Sequence, residues 1–284
     1  MTQTATRGSV RTVRVAHSPD ADDAFMFYAL AEGLLDTGDL RFEHELQDIQ
    51  TLNERARRGE LEVTAVSIHA YAYLADRYLL LPHGASMGET YGPRIVARHE
   101  LSEGQLRRAT IAVPGELTSA YLALRLWEPG VATVVRPFDC ILEDVTTGRV
   151  EAGLIIHEGQ LTYADSGLTF LLDLGAWWHS QTGLPLPLGG NVIRRDLGSE
   201  LIGRISRHLR ESIRYALDHR AEALDYALRF ARGLSPRQVD DFVGMYVNQR
   251  TLDYGEAGRE AVRLFLARGA EAGILPEVHV EFAD

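Results

Sequence analysis

Three clusters in this 284-residue chain combine titratable or hydroxyl side chains at spacings that chemistry can use. The segment His17-Ser18-Pro19-Asp20-Ala21-Asp22-Asp23 sets a histidine and three carboxylates after a strand-like run. Spaced aspartates with a histidine can ligate a hard ion or zinc. The same residues can instead start a helix into Phe25 and beyond, with Ser18 or Asp20 to Asp23 capping it and placing negative charge at the positive end of its dipole. A third reading turns Ser18, Asp22 and Asp23 toward a ligand without a metal. The Asp-His-His of phosphoesterases is absent, and the Asp-x-Asp here lacks the following Thr of haloacid dehalogenases.

Pro114-Gly115-Glu116-Leu117-Thr118-Ser119-Ala120 joins a strand to a helix. Backbone N–H groups and two hydroxyls at Thr118, Ser119 and Ala120 would hold an anion there, although plain N-capping by Thr118 or Ser119 would use the same residues. His157 ends the apolar run 153–156 and should emerge at a strand's carboxyl end, where a histidine serves as a base near neutral pH. A strand-end histidine can equally be structural or merely exposed. Neither His157-Glu158 nor His99-Glu100 continues to the second histidine of a zinc protease helix. Trp177-Trp178 could wall a ring-bearing ligand or pack a crossing between lobes. No Walker loop or G-x-G-x-x-G is present, so no nucleotide cofactor is indicated.

Elements must position these groups. Apolar runs bounded by turn residues alternate with stretches of helical period, the signature of βα units and an α/β fold. Strands are expected at 13–16, 42–46, 63–66, 95–97, 110–113, 133–135, 153–156 and 169–172. Helices are expected at 22–35, 49–58, 119–127 and 138–147, and after Leu188-Gly189-Gly190 at 201–217, 221–230, 236–246 and 256–272. Gly59-Glu60-Leu61-Glu62 before a strand ending at Ser67 and Ile68 echoes Gly148-Arg149-Val150-Glu151 before one ending at Ile156 and His157. A simple arrangement has residues 1–98 and 191–284 as lobe 1 and residues 99–190 as an inserted lobe 2. Crossings near Gly92-Pro93-Arg94 and Pro187-Leu188-Gly189 would form a hinge. Each lobe would hold a mostly parallel sheet flanked by helices, with ligand bound in the cleft at the strands' carboxyl ends.

Composition narrows the function. A hydrophobic content of 45% supports a sizeable core. Apolar runs are far shorter than the ~20 residues that cross a bilayer, and the first ten residues lack the apolar region of a secretory leader. No membrane association is expected, and the cytoplasm is the expected location. Cys140 is the single cysteine, so no intrachain disulfide or cysteine-rich metal site can form. A net charge of −11 argues against nucleic acid as a partner. The expected partner is a small-molecule carboxylate, which backbone amides can hold even in an acidic protein. A homodimer is allowed but not dictated.

The stretches Ala152-Gly153-Leu154-Ile155-Ile156-His157-Glu158, Asp173-Leu174-Gly175-Ala176-Trp177-Trp178 and Thr182-Gly183-Leu184-Pro185-Leu186-Pro187-Leu188-Gly189 resemble the 1,4-dihydroxy-6-naphthoate synthase family of the futalosine route to menaquinone. The likeness continues in Gln50-Thr51-Leu52-Asn53, Ala70-Tyr71-Ala72 and Tyr215-Ala216-Leu217, and so covers most of the chain after the first ten residues. It implies a two-lobed periplasmic-binding-protein type II fold and a cofactor-free, metal-free cleavage of cyclic dehypoxanthinyl futalosine to 1,4-dihydroxy-6-naphthoate and dihydroxyacetone. It also implies His157 as the base, with ligand contacts at the strand end of Ser67 and Ile68 and at the helix start of Thr118, Ser119 and Ala120. One departure stands out: the family pattern Ser-Pro-Cys-Pro-Asn-Asp reads Ser18-Pro19-Asp20-Ala21-Asp22-Asp23 here. Asp22 adds charge and removes an amide donor, which repels a carboxylate substrate unless Asp22 is protonated or meets hydroxyls. A paralogous enzyme such as chorismate dehydratase and a cytosolic acid-binding sensor of the same fold are the alternatives. The Ile155-Ile156-His157-Glu158 stretch speaks against the first. The second would need a leader, a lipobox cysteine or DNA-binding helices that the chain does not show.

Overall fold

The structure is a computed structural model that describes residues 10–231 and 233–284. The reading of the first ten residues therefore falls, except for Val10, outside them. Among the described residues eleven strands form two sheets: β1 (Arg11–His17), β2 (Leu40–Leu46), β3 (Val63–Ser67), β4 (Tyr78–Leu80), β5 (Ser86–Gly88), β6 (Arg94–Ala97), β7 (Thr110–Val113), β8 (Ala132–Val135), β9 (Ala152–Ile155), β10 (Thr169–Asp173) and β11 (Leu186–Arg194). The first sheet has the order β2-β1-β3-β11-β4, with β5 also on β11, and the second the order β10-β6-β9-β7-β8. The chain passes to the second sheet between β5 and β6 and returns between β10 and β11.

Both sheets are more mixed than the sequence predicts. β1 runs parallel to β2 and β3, and β7 parallel to β8 and β9. The strands that carry the chain between sheets run the other way: β6 is antiparallel to β9 and β10, and β11 is antiparallel to β3, β4 and β5. β11 also lies outside the strands expected from the sequence. Glycine and proline normally weaken a strand, and each has a reason here. The register shifts between Pro187 and Gly189, and a Cβ on Gly190 would come within 2.3 Å of the Tyr254 hydroxyl.

The helix Ala21–Ala31 is apolar almost all round, with Ala21, Ala24, Phe25, Met26, Phe27, Ala29 and Leu30 buried. Such a helix must be covered on every side. The tail helices Ser199–Asp218, Arg220–Ala227 and Pro236–Tyr246 cover it, and Phe25 and Phe27 share a core with Ile205, Leu209, Ile213 and Phe242. Each fully buried Phe or Ile side chain contributes roughly 1.5–3 kcal/mol. With its body locked in this way, the helix holds its acidic N-terminus in a fixed place. A second core spans both sheets, joining Val66, Tyr71 and Leu80 to Ile95, Ile111 and Leu154. Among the described residues no helix is long and apolar enough to cross a membrane.

Candidate functional site

A cavity lies where the carboxyl ends of β1 and β3 face the helix Ser119–Trp127. Its wall includes Ser18, Asp22, Asp23, Ser67, Thr118, Ser119 and Ala120. Residues more than 90 positions apart are thus brought together.

The first loop is built from carboxylates that satisfy backbone amides. The Ser18 amide donates to Asp23 Oδ2 at 2.7 Å, and the Asp20 amide to Ser18 Oγ at 3.2 Å. The Ala21 amide donates across to Glu158 Oε1 at 3.4 Å. Asp20 occupies the N-cap position but makes no capping bond with its side chain. Burial pushes the Asp23 carboxyl up to about 6, against the lowering effect of the Ser18 bonds. The Asp22 carboxyl is raised well above the usual carboxylate range, first by burial and then by Asp23, Asp20 and Glu158. A carboxyl so placed favours its protonated form, and a protonated Asp22 carries the donor that asparagine would have supplied. Among the described residues no group of three or more His, Cys, Asp or Glu side chains is arranged to hold a metal ion.

Ser67 is held by Asn53, a neighbour from the helix Ile49–Arg57. Asn53 is fully buried; its Oδ1 accepts from the Ser67 amide at 2.9 Å and its Nδ2 donates to Ser67 Oγ at 3.1 Å. The hydroxyl proton of Ser67 is left for another acceptor. Ile68 has its side chain in the core and does not reach the wall.

At the helix start, capping and ligand-facing roles divide between side chain and backbone. Thr118 Oγ1 donates to Gly115 O at 2.8 Å and accepts from the Tyr121 amide at 3.2 Å, an N-cap. Ser119 Oγ donates to Leu188 O at 2.5 Å and accepts from the His69 amide at 3.2 Å. His69 Nδ1–H in turn donates to Thr118 O at 3.2 Å. Both hydroxyls are therefore committed to structure. The amides of Ser119 and Ala120, at the first two helical positions, have no acceptor within the helix and remain for an anion. Gly115 lets the first lobe support this loop, because Gln50 Oε1 accepts from the Leu117 amide at 3.3 Å and a Cβ on Gly115 would lie 2.3 Å from that oxygen.

His157 stands one residue behind the wall, next to Ile156, which lines it. The Gly159 amide donates to His157 Nδ1 at 3.0 Å, so Nε2 carries the proton and donates to Phe138 O at 3.1 Å. The ring meets Phe138 edge-on at 5.4 Å. Glu158 Oε2 lies 4.0 Å from Nδ1, and burial followed by Asp20 raises the Glu158 carboxyl. Trp178 is fully buried, donates Nε1–H to Pro185 O at 3.0 Å and packs on Phe265, so it serves packing and not the wall. The aromatic wall comes instead from Phe242 and Tyr246, which sequence reasoning missed. Tyr246 Oη donates to Gln160 Oε1 at 2.9 Å, linking the tail to the second lobe.

Two mixed sheets with a cavity between them and a helical tail define a two-lobed protein of the periplasmic-binding-protein fold. The alkanesulfonate-binding protein of Xanthomonas axonopodis, solved with MOPS bound, matches with a TM-score of 0.68 at 13% identity, over 95% of this chain and 96% of that one. The family model for menaquinone biosynthesis matches residues 13–271, and the chain belongs to that family. It is 43% identical over 265 residues to the 1,4-dihydroxy-6-naphthoate synthase of Thermus thermophilus, covering 93% of this chain and 96% of that one. It is 39% identical over 274 residues to the protein of the same name from Streptomyces coelicolor, covering 94% and 96%. A crystal structure of a protein from Archaeoglobus fulgidus matches with a TM-score of 0.89 at 47% identity, over 93% of this chain and 98% of that one.

Proposed function

We propose that this chain is a 1,4-dihydroxy-6-naphthoate synthase, a carbon–carbon lyase that splits cyclic dehypoxanthinyl futalosine into 1,4-dihydroxy-6-naphthoate and dihydroxyacetone. The observation that carries this reading is the pairing of family membership with a cavity whose wall joins Ser67, the helix start at Ser119 and Ala120, and the Asp22-Asp23 pair. The helix start receives the substrate carboxylate, since its amides and dipole favour an anion. Asp22, with its carboxyl raised, faces hydroxyl or carbonyl oxygens as a donor and not as a repelling charge.

His157 is the proposed base. It removes a proton from the bound bicycle; the electron pair released breaks the carbon–carbon bond, whose own pair leaves with the three-carbon fragment as an enediolate, and return of the proton from His157 gives dihydroxyacetone beside the aromatic naphthalene. Aromatisation supplies the driving force, so the protein's task is positioning and proton transfer. The lone pair that takes the proton is the one at Nδ1, which here accepts from the Gly159 amide. The reactive geometry therefore requires the ring or the turn at Gly159 to shift until Nδ1 reaches substrate. Glu158 beside Nδ1 would then stabilise the imidazolium.

Incubating purified protein with cyclic dehypoxanthinyl futalosine tests the assignment. Naphthoate absorbance and dihydroxyacetone should appear in equal amounts. Binding of the compound without product would refute the lyase and leave a ligand-binding module of the same fold.

A further inference from the structure

Among the described residues of the cavity wall, Asn191 carries a buried amide donor that the fold does not use. Ser18, Asp23, Ser67, Thr118, Ser119 and Tyr246 are each buried in the wall, and each holds a hydrogen bond to the protein. Asn191 is 1% exposed and also lies in the wall, yet its Nδ2 has no hydrogen-bond partner. An amide donor taken from water and left unmatched is costly, and folds rarely keep one without reason.

The surroundings are fitted to that side chain. Asn191 pairs with Ala65 across β11 and β3, and its carbonyl accepts from the Leu81 amide at 2.8 Å, so the backbone is fixed. Gly84 has φ +78°, and a Cβ there would come within 2.1 Å of Asn191 Nδ2. Glycine is thus required both by conformation and by space, and the space is filled by an amide head without a protein acceptor.

Its position fits one part of a ligand. Leu188 O meets Ser119 Oγ at the helix start, and Asn191 is three residues further along the same strand, about 10 Å away at the rise of an extended chain. That span is comparable with the length of a fused bicycle whose carboxylate sits on the helix start. We infer that Asn191 is a specificity-determining residue, donating from Nδ2 to an uncharged ring oxygen at the end of the ligand remote from its carboxylate. The inference rests on the naphthoate reading of the cavity.

Anaerobic titration with 1,4-dihydroxy-6-naphthoate and with 2-naphthoate, which keeps the carboxylate and lacks both ring oxygens, tests it. Asn191→Ala and the bulkier Asn191→Leu should each weaken the dihydroxy ligand about tenfold, the worth of one hydrogen bond. Binding of 2-naphthoate should stay within twofold of wild type, and thermal midpoints should not fall, because no hydrogen bond within the protein is lost. Equal weakening of both ligands would show a structural role, and no change in either would show that Nδ2 does not meet the ligand. Each result overturns the inference. Wild-type protein that binds neither naphthoate would instead overturn the reading of the cavity, and the inference with it.

Discussion

Replacing Asp23 by asparagine should stabilise this protein in alkaline solution and flatten part of its pH dependence. Asp23 is 8% exposed, and its carboxyl is pushed up to about 6 from an ordinary 3.8. A raised carboxyl binds its proton more tightly when folded than when unfolded, so stability is lost as pH rises through the folded value. The displacement corresponds to about 3 kcal/mol in full, of which about 2 kcal/mol falls between pH 4 and pH 8. Asparagine keeps an oxygen to accept from the Ser18 amide, which Asp23 holds at 2.7 Å, and its new N–H donors lie near Asp22. The assay is urea unfolding of wild type and Asp23→Asn at pH 4 and pH 8. The variant should gain on wild type by about 2 kcal/mol over that interval, while turnover falls because a wall group is altered. A stability gap that is constant with pH, or that closes at pH 8, would show that the carboxyl is not held protonated by burial.

Other consequences follow from the same geometry. Asn53→Ala removes both bonds to Ser67, and should lower stability by about 2 kcal/mol and raise KM; an unchanged KM would mean that Ser67 does not meet substrate. Burial holds His17, His69 and His83 at about 4, so the unfolded chain takes up protons below 6.5 that the folded chain refuses. Each can therefore cost up to about 3 kcal/mol as pH falls from 6.5 to 4, and the urea midpoint should drop between pH 7 and pH 4.5; a midpoint that rises would contradict this. Activity should survive excess EDTA, whereas loss on chelation with recovery by a single divalent ion would revive the metal reading of the aspartates.

Much of the frame is legible in the sequence where local rules govern it. The strand at Thr110–Val113 and the helices Ser119–Trp127 and Pro236–Tyr246 have the bounds that turn and capping residues mark. Thr118 and Ser235 show why, since each accepts a hydrogen bond from its helix's third residue. Long-range packing hides the rest. β11 carries Gly190 because the Tyr254 hydroxyl crowds that position, and no local pattern announces that crowding. The wall residues at the first loop, Ser67 and the helix start are readable as strand ends and helix starts. Asn53, Asn191 and Tyr246 are not, because each acquires its place from a partner or cavity formed by distant chain. Asp22 lies between these cases: its identity shows the charge problem, and only the enclosure beside Asp20, Asp23 and Glu158 shows how protonation answers it.

The central claim is that His157 takes the proton, and turnover by His157→Asn tests it most directly. Asparagine can still hydrogen-bond near Phe138 O and the Gly159 amide, but it cannot accept a proton near neutral pH. Titration with 1,4-dihydroxy-6-naphthoate should give nearly wild-type affinity and the thermal midpoint should be kept, while kcat for cyclic dehypoxanthinyl futalosine falls by roughly 10²-fold to 10⁴-fold. A well-folded His157→Asn protein with wild-type kcat would contradict the account.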